Sequence, residues 1–221
     1  QGTAAEALTN AELPAYGMNY GGLAPKDYDT KMLAQHHLGL ARTWWGLSTA
    51  TNPDPNQWLE WDEQVALAAM GNVSIIPVIF TALGAPYTAA NRAQWVTFVH
   101  NLVGRYGPKT ASGGGAFWNL HPSLNYMPVR AWEIFNEENH PEFWGGAPSP
   151  SDYNDALQAA HQTLRSVDPD ARIVLGGLIG FDPSDGSNAL KFLTAVTQIG
   201  NGKCLYDAVA VHPYSKQEPV A

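Results

Sequence analysis

Ala131-Trp132-Glu133-Ile134-Phe135-Asn136-Glu137-Glu138-Asn139-His140 joins a strand-like run to an unbroken group of carboxylates, amides and an imidazole. Side chains of a strand alternate between faces, so Glu133, Phe135 and Glu137 are expected to share one face. Glu137 falls at the carboxyl end of the strand, where a loop begins, and Glu133 lies one layer lower. A carboxylate at that depth is costly without a partner, and Arg42, ending another predicted strand, is the candidate. Glu138 and Asn139 read as a solvated loop or a cap.

On both sides of this stretch, strand-like and helical runs alternate. Strands are predicted at Tyr16 to Tyr20, Leu38 to Thr43, Val73 to Phe80, Ala131 to Glu137, Arg172 to Gly177 and Tyr206 to His212. Between them come helices: one from about Asp27 to His37, one bearing Trp58, Trp61, Val65 and Ala69 that Gly71 ends, and one with Trp95, Val99, Leu102, Val103 and Tyr106 on its face. Thr88 can cap that third helix, and Gly107-Pro108 stops it. Two further helices, Ser151 to Val167 with Tyr153, Leu157, Ala160 and Leu164 on one side, and Ser187 to Ile199 before Gly200, complete the pattern. Residues 107–130, with Gly113-Gly114-Gly115 and several prolines, read as a loop insertion, because the alternation resumes directly after them.

Such alternation means parallel strands joined by helical crossovers. A doubly wound nucleotide-binding sheet and a closed barrel both have this pattern. Gly21-Gly22 follows the first strand, but no G-x-G-x-x-G and no P-loop is present. The expected fold is therefore α/β, a (β/α)8 TIM barrel, with residues 1–221 forming a single barrel domain that covers about the first six βα units. Strands seven and eight lie outside this expectation, so a second chain or segment is expected to complete the barrel.

Composition narrows the partners. The chain has 221 residues, 45% hydrophobic and 14% charged, with a net charge of −8 and no basic run. Such a surface offers little to a nucleic-acid backbone, and no apolar run approaches the roughly 18 residues of a membrane helix. Cys204 is the single cysteine, so no disulfide forms within the chain. No signal peptide is visible, and the chain starts at Gln1 rather than Met, which fits a mature secreted protein and an arbitrarily trimmed boundary equally well.

In a parallel barrel, reactive groups gather at the carboxyl ends of the strands. Those positions hold Arg42-Thr43-Trp44-Trp45, then Asn136-Glu137-Glu138-Asn139-His140, then His212-Pro213-Tyr214. Carboxylates, an amide, imidazoles and indole rings on one rim suit glycosidic bond cleavage, which needs a carboxylic acid facing a second carboxylate. Trp44, Trp45, Trp144, Phe143 and Tyr87, on predicted rim loops, are candidate platforms for pyranose faces. Trp44 and Trp45 are consecutive, so one of them at most faces the cleft. Trp58, Trp61, Trp95 and Trp132 read as core. Asp182 and Asp185 are explained by turn chemistry. His36-His37 and His121 lack partners at metal-ligand spacing, and no cofactor is implied.

Trp132 to Glu137 resembles the strand-four signature of the large clan of retaining glycoside hydrolases with (β/α)8 barrels, where an Asn-Glu pair ends the strand. The helix Trp95 to Tyr106, the strand Leu38 to Arg42 and the segment Val211-His212-Pro213-Tyr214 are similar to the corresponding parts of that clan, in its β-xylosidase and iduronidase-like or cellulase-like groups. The resemblance implies that Glu137 is the general acid/base and that Asn136 hydrogen-bonds the sugar hydroxyl beside the reacting carbon. Arg42 would support the site, and His212 and Tyr214 would flank the nucleophile. It places that nucleophile on strand seven, outside this chain. His140 and the rim tryptophans join the substrate-binding set. The implied activity is hydrolysis of an oligo- or polysaccharide, and the alternative is a barrel that binds carbohydrate without cleaving it.

Overall fold

The computed structural model describes residues 17–19, 35–36, 38–47, 55–81, 87–180, 188–200 and 202–213. The strands are β1 (Gly17–Asn19), β2 (Leu40–Gly46), β3 (Ser74–Phe80), β4 (Ala131–Asn136), β5 (Arg172–Leu178) and β6 (Ala208–Val211). All adjacent pairs are parallel, and the spatial order is the chain order, β1-β2-β3-β4-β5-β6. A doubly wound sheet reverses its strand order at a switch point. Here every crossover steps the same way, so the sheet curls as part of a (β/α)8 barrel.

The described helices are α1 (Pro55–Met70), α2 (Arg92–Tyr106), α3 (Ala116–Leu120), α4 (Pro141–Trp144), α5 (Pro150–Val167) and α6 (Ala189–Gln198). The predicted helix around 27–37 falls almost wholly outside the described residues. Thr88 precedes a short 3-10 turn, Ala89–Asn91, rather than α2 itself. Inside the stretch predicted as a loop, Gly115 adopts the left-handed conformation and starts α3, which buries Phe117 and Trp118. No described helix is long and apolar enough to cross a membrane.

Between strands and helices lies an aromatic layer. Trp45 stacks on Trp61 of α1, with centroids 5.6 Å apart, and tilts against Tyr106 of α2 at 4.8 Å. Its indole N–H donates to buried Gln64 at 2.9 Å. The layer continues through Trp95, Phe135, Tyr153 and Phe192. Asp62 clamps α1 to α2 by accepting from Arg105 and from the Tyr106 hydroxyl.

α5 begins cleanly because the Ser149 side chain accepts from the Asp152 amide and Pro150 takes the first turn. Its predicted face is buried throughout. Tyr153 on that face reaches into the sheet: its hydroxyl donates to the Ile134 carbonyl at 3.0 Å and accepts from the Gly176 amide at 3.1 Å. That hydroxyl stands where a direct β4–β5 ladder bond would otherwise be. Tyr153→Phe therefore strands a buried amide and is expected to lower stability by about 1–3 kcal/mol. Urea unfolding measures this, and an unchanged midpoint would show that the bridge contributes nothing.

Candidate active site

β2 runs three residues past its predicted end, to Gly46, which brings Trp44 and Trp45 into the strand. Alternation then decides their fates. Arg42 and Trp44 share the half-buried interior face, while Ala41, Thr43 and Trp45 are buried against the helices. Trp45 is thus a core residue, 0% exposed, and not a sugar platform. Trp44 stands edge-on to Phe80 at 5.7 Å, and its indole nitrogen has no partner among the described residues.

Arg42 organises the interior face. Its Nε and Nη2 donate to Glu133 Oε2 and Oε1, both at 2.7 Å. Nη2 also donates to Asn136 Oδ1 at 2.9 Å, and Nη1 to Asn19 Oδ1 at 3.1 Å. Glu133 Oε1 accepts a further bond from the Gly177 amide at 3.1 Å. The anticipated partnership of Arg42 with Glu133 is thus present as a two-pronged ion pair, with side chains 15% and 3% exposed. Because Arg42 fixes Asn136 Oδ1, the Asn136 Nδ2 is left as the donor.

The simple alternation predicted for β4 fails at Phe135. Its φ is +66°, a region that bulky residues avoid, and its ring packs on Trp95, Trp144 and Tyr153 in the helical layer. Glu137 follows with a φ of +53°. The two left-handed residues kink the strand end, so that Asn136 meets Arg42 and Glu137 meets His212. Glu137 Oε1 and His212 Nδ1 are 2.6 Å apart, and Glu137 is 6% exposed. His212 sits just past β6, its amide bonded to the Leu178 carbonyl at 2.8 Å. Gly177 permits this approach: a Cβ there would lie 2.3 Å from the His212 ring.

Elsewhere the rim departs from the sequence reading. Trp144 is buried between Phe135 and Tyr153, and Tyr87 is buried with its hydroxyl on Asp155, so neither offers a platform. His140 caps α4, with Nδ1 accepting from the Glu142 amide at 3.4 Å, and makes no side-chain bond to Asn136 or Glu137. Tyr214, Asp182 and Asp185 lie outside the described residues. Among the described residues no cluster of His, Cys, Asp or Glu could hold a metal ion.

Glu138 is the residue that the sequence reading missed. It is completely buried, not solvated, and neither carboxyl oxygen has a hydrogen-bond partner among the described residues. Burial first, then the nearby charges of Glu133 and Glu137, push its pKa up to about 8. Asn139 beside it is also buried, its amide exchanging bonds with Ile179 at 2.7 and 3.2 Å.

The sequence matches no protein-family model and no curated protein. The fold does have solved counterparts. A glucosidase from Croceicoccus marinus aligns with a TM-score of 0.63 at 17% identity, over 90% of this chain and 44% of its own. A family 30 subfamily 8 xylanase from Clostridium acetobutylicum aligns at 0.59 and 15% identity, over 90% and 49%. An endoglucanase from Thermotoga maritima aligns at 0.53 and 16% identity, over 80% and 54%. The chain therefore spans about half the length of these glycoside hydrolases and shares the barrel fold they use.

The Arg42–Glu133 pair generates a test. Arg42→Met leaves a buried carboxylate without its cation and is expected to lower stability by about 3–5 kcal/mol. Adding Glu133→Gln should recover much of that loss, because the unpaired charge is then gone. Denaturant melts of both single variants and the double variant measure the coupling. Strictly additive losses would mean that the pair does not act as a unit.

Proposed function

We propose that this domain is the acid/base-bearing part of a glycosidase that cleaves O-glycosidic bonds of an oligo- or polysaccharide with retention. One observation carries the reading: Glu137, at the kinked end of β4, is held against His212 beside an asparagine that Arg42 fixes. The strand-four resemblance and the shared fold of solved glycoside hydrolases support it.

In the first step, the Glu137 carboxylic acid donates its proton to the glycosidic oxygen as the bond to the anomeric carbon breaks. A second carboxylate, about 5–5.5 Å across the sugar, attacks that carbon from the other face. We assign this nucleophile to a segment outside residues 1–221, on the strand or second chain that would complete the barrel. Glu137, now ionised, then takes a proton from the incoming water, and the resulting hydroxide displaces the enzyme carboxylate. His212 fixes Oε1 of Glu137, so Oε2 is the oxygen presented for proton transfer. Asn136 Nδ2 is the donor for the hydroxyl beside the reacting carbon, and half-buried Trp44 and Phe143 are the remaining candidate platforms. We also propose that the protein acts outside the cell, where polymeric substrates are found.

Glu137→Gln keeps the shape of the side chain and removes its transferable proton. In the full-length protein, kcat on alkyl glycosides should fall about 10²–10⁴-fold. Aryl glycosides with acidic leaving groups need less protonation, so their bond-breaking step should be far less affected. Steady-state assays on a panel of such substrates check this. Undiminished turnover of alkyl glycosides would remove Glu137 from its role, and saturable binding without any hydrolysis by the wild type would favour a carbohydrate-binding barrel.

A further inference from the structure

Glu138 has no place in the chemistry above, yet its surroundings are unusual for a carboxyl group. A Cβ built on Gly176 would stand 2.4 Å from Glu138 Oε2 and 2.6 Å from each of the Ile134 and Phe135 carbonyl oxygens. Three oxygens therefore crowd over one glycine. The titratable groups that face Glu138 are Glu133 of β4, Glu137 at the strand end and Tyr153 of α5. β5 faces it with uncharged Gly176. The cation of the cluster, Arg42, is bonded to Glu133, Asn136 and Asn19, and His212 is bonded to Glu137.

Tyr153 and the residue's own amide both favour a charge on Glu138, but neither forms a hydrogen bond with it. The Tyr153 proton is directed to the Ile134 carbonyl instead. An ionised carboxylate among acceptors is strongly disfavoured. The neutral acid carries an O–H that the neighbouring carbonyl oxygens are able to accept.

We propose that Glu138 is a positioning residue that works as an uncharged acid, wedged over Gly176 so that the kinked 135–138 backbone aims Glu137 at the substrate. The inference rests on the acid/base reading of Glu137. Glu138 itself is completely buried, so it acts through Glu137 and not on the substrate. When its proton leaves, the new charge faces two carbonyl oxygens and two carboxylates. The segment must then shift to admit water, and Glu137 shifts with it. Folding raises the Glu138 pKa from its ordinary 4.5 to about 8, so the fold favours the protonated form. Its contribution to stability is complete below the unfolded value and is lost as pH rises through the folded one.

Two readouts on the full-length protein test this. Carboxyl-carbon NMR with labelled glutamate should show one resonance that titrates near pH 8 and is absent from Glu138→Gln. In activity assays, the alkaline fall of wild-type kcat should contain a step near pH 8. Glu138→Gln stays neutral at all pH, so it should keep kcat within about threefold near pH 6, leave KM unchanged and lose the step near pH 8, keeping only the alkaline fall that loss of the Glu137 proton itself imposes. Glu138→Ala, which removes the wedge, should lose kcat by about 10²-fold at similar KM. Titration near 4.5, or an alkaline limb in Glu138→Gln that coincides with the wild type, would overturn the proposal. Normal turnover by Glu137→Gln, with Glu138 still titrating near 8, would instead overturn the acid/base reading, and the positioning role with it.

Discussion

An arginine and a glutamate meet inside the strand layer, where either alone would be expensive to bury. Such a pair is tolerated only when geometry is good and the remaining donors and acceptors are filled. Arg42 and Glu133 meet much of that demand by recruiting neighbours: Asn19 and Asn136 each take a further guanidinium hydrogen, and the Gly177 amide takes a carboxylate lone pair. Desolvation therefore acts as an organising force. It ties β2, β4 and β5 together at one level and fixes the rotamer of Asn136 as a by-product.

Above that level the strand cannot continue regularly. With the Gly176 and Gly177 amides donating to side chains rather than to β4 carbonyls, the ladder loosens, and the left-handed Phe135 and Glu137 occupy the irregular end of the strand. Strain of this kind persists only where the surroundings over-determine it, and here they do. Phe135 is held by three aromatic rings, Glu137 by His212, and Glu138 by the space over Gly176. A kink so braced lets two consecutive side chains, Asn136 and Glu137, reach Arg42 and His212, where an ideal strand would point them to opposite faces.

Much of this was legible in the sequence, and the misses have physical causes. The six strands were visible because β-branched runs and amphipathic helices carry opposite periods. The Arg42–Glu133 pair was readable because two opposite charges stood at matching depths on strands expected to be regular. Parity placed Glu133 correctly and failed at Phe135, since alternation assumes φ values that this residue does not have. Glu138 and Asn139 look like surface residues by composition, and nothing in the sequence reveals that glycines across the sheet leave room to bury them. Trp45 was misplaced because β2 outlasts its predicted end, and Trp144 because a four-residue helix turns its ring inward. The sequence carries no strong signal for either.

For Glu137 to act as proposed, a sugar ether oxygen must reach its carboxyl. A crystal structure of the full-length protein with a thio-linked, uncleavable oligosaccharide answers this most directly. The bridging sulfur is predicted within about 3–3.5 Å of Glu137, with Asn136 Nδ2 on the adjacent ring hydroxyl. An oligosaccharide bound at another face, or in this mouth with Glu137 turned away from its linkage, would contradict the account.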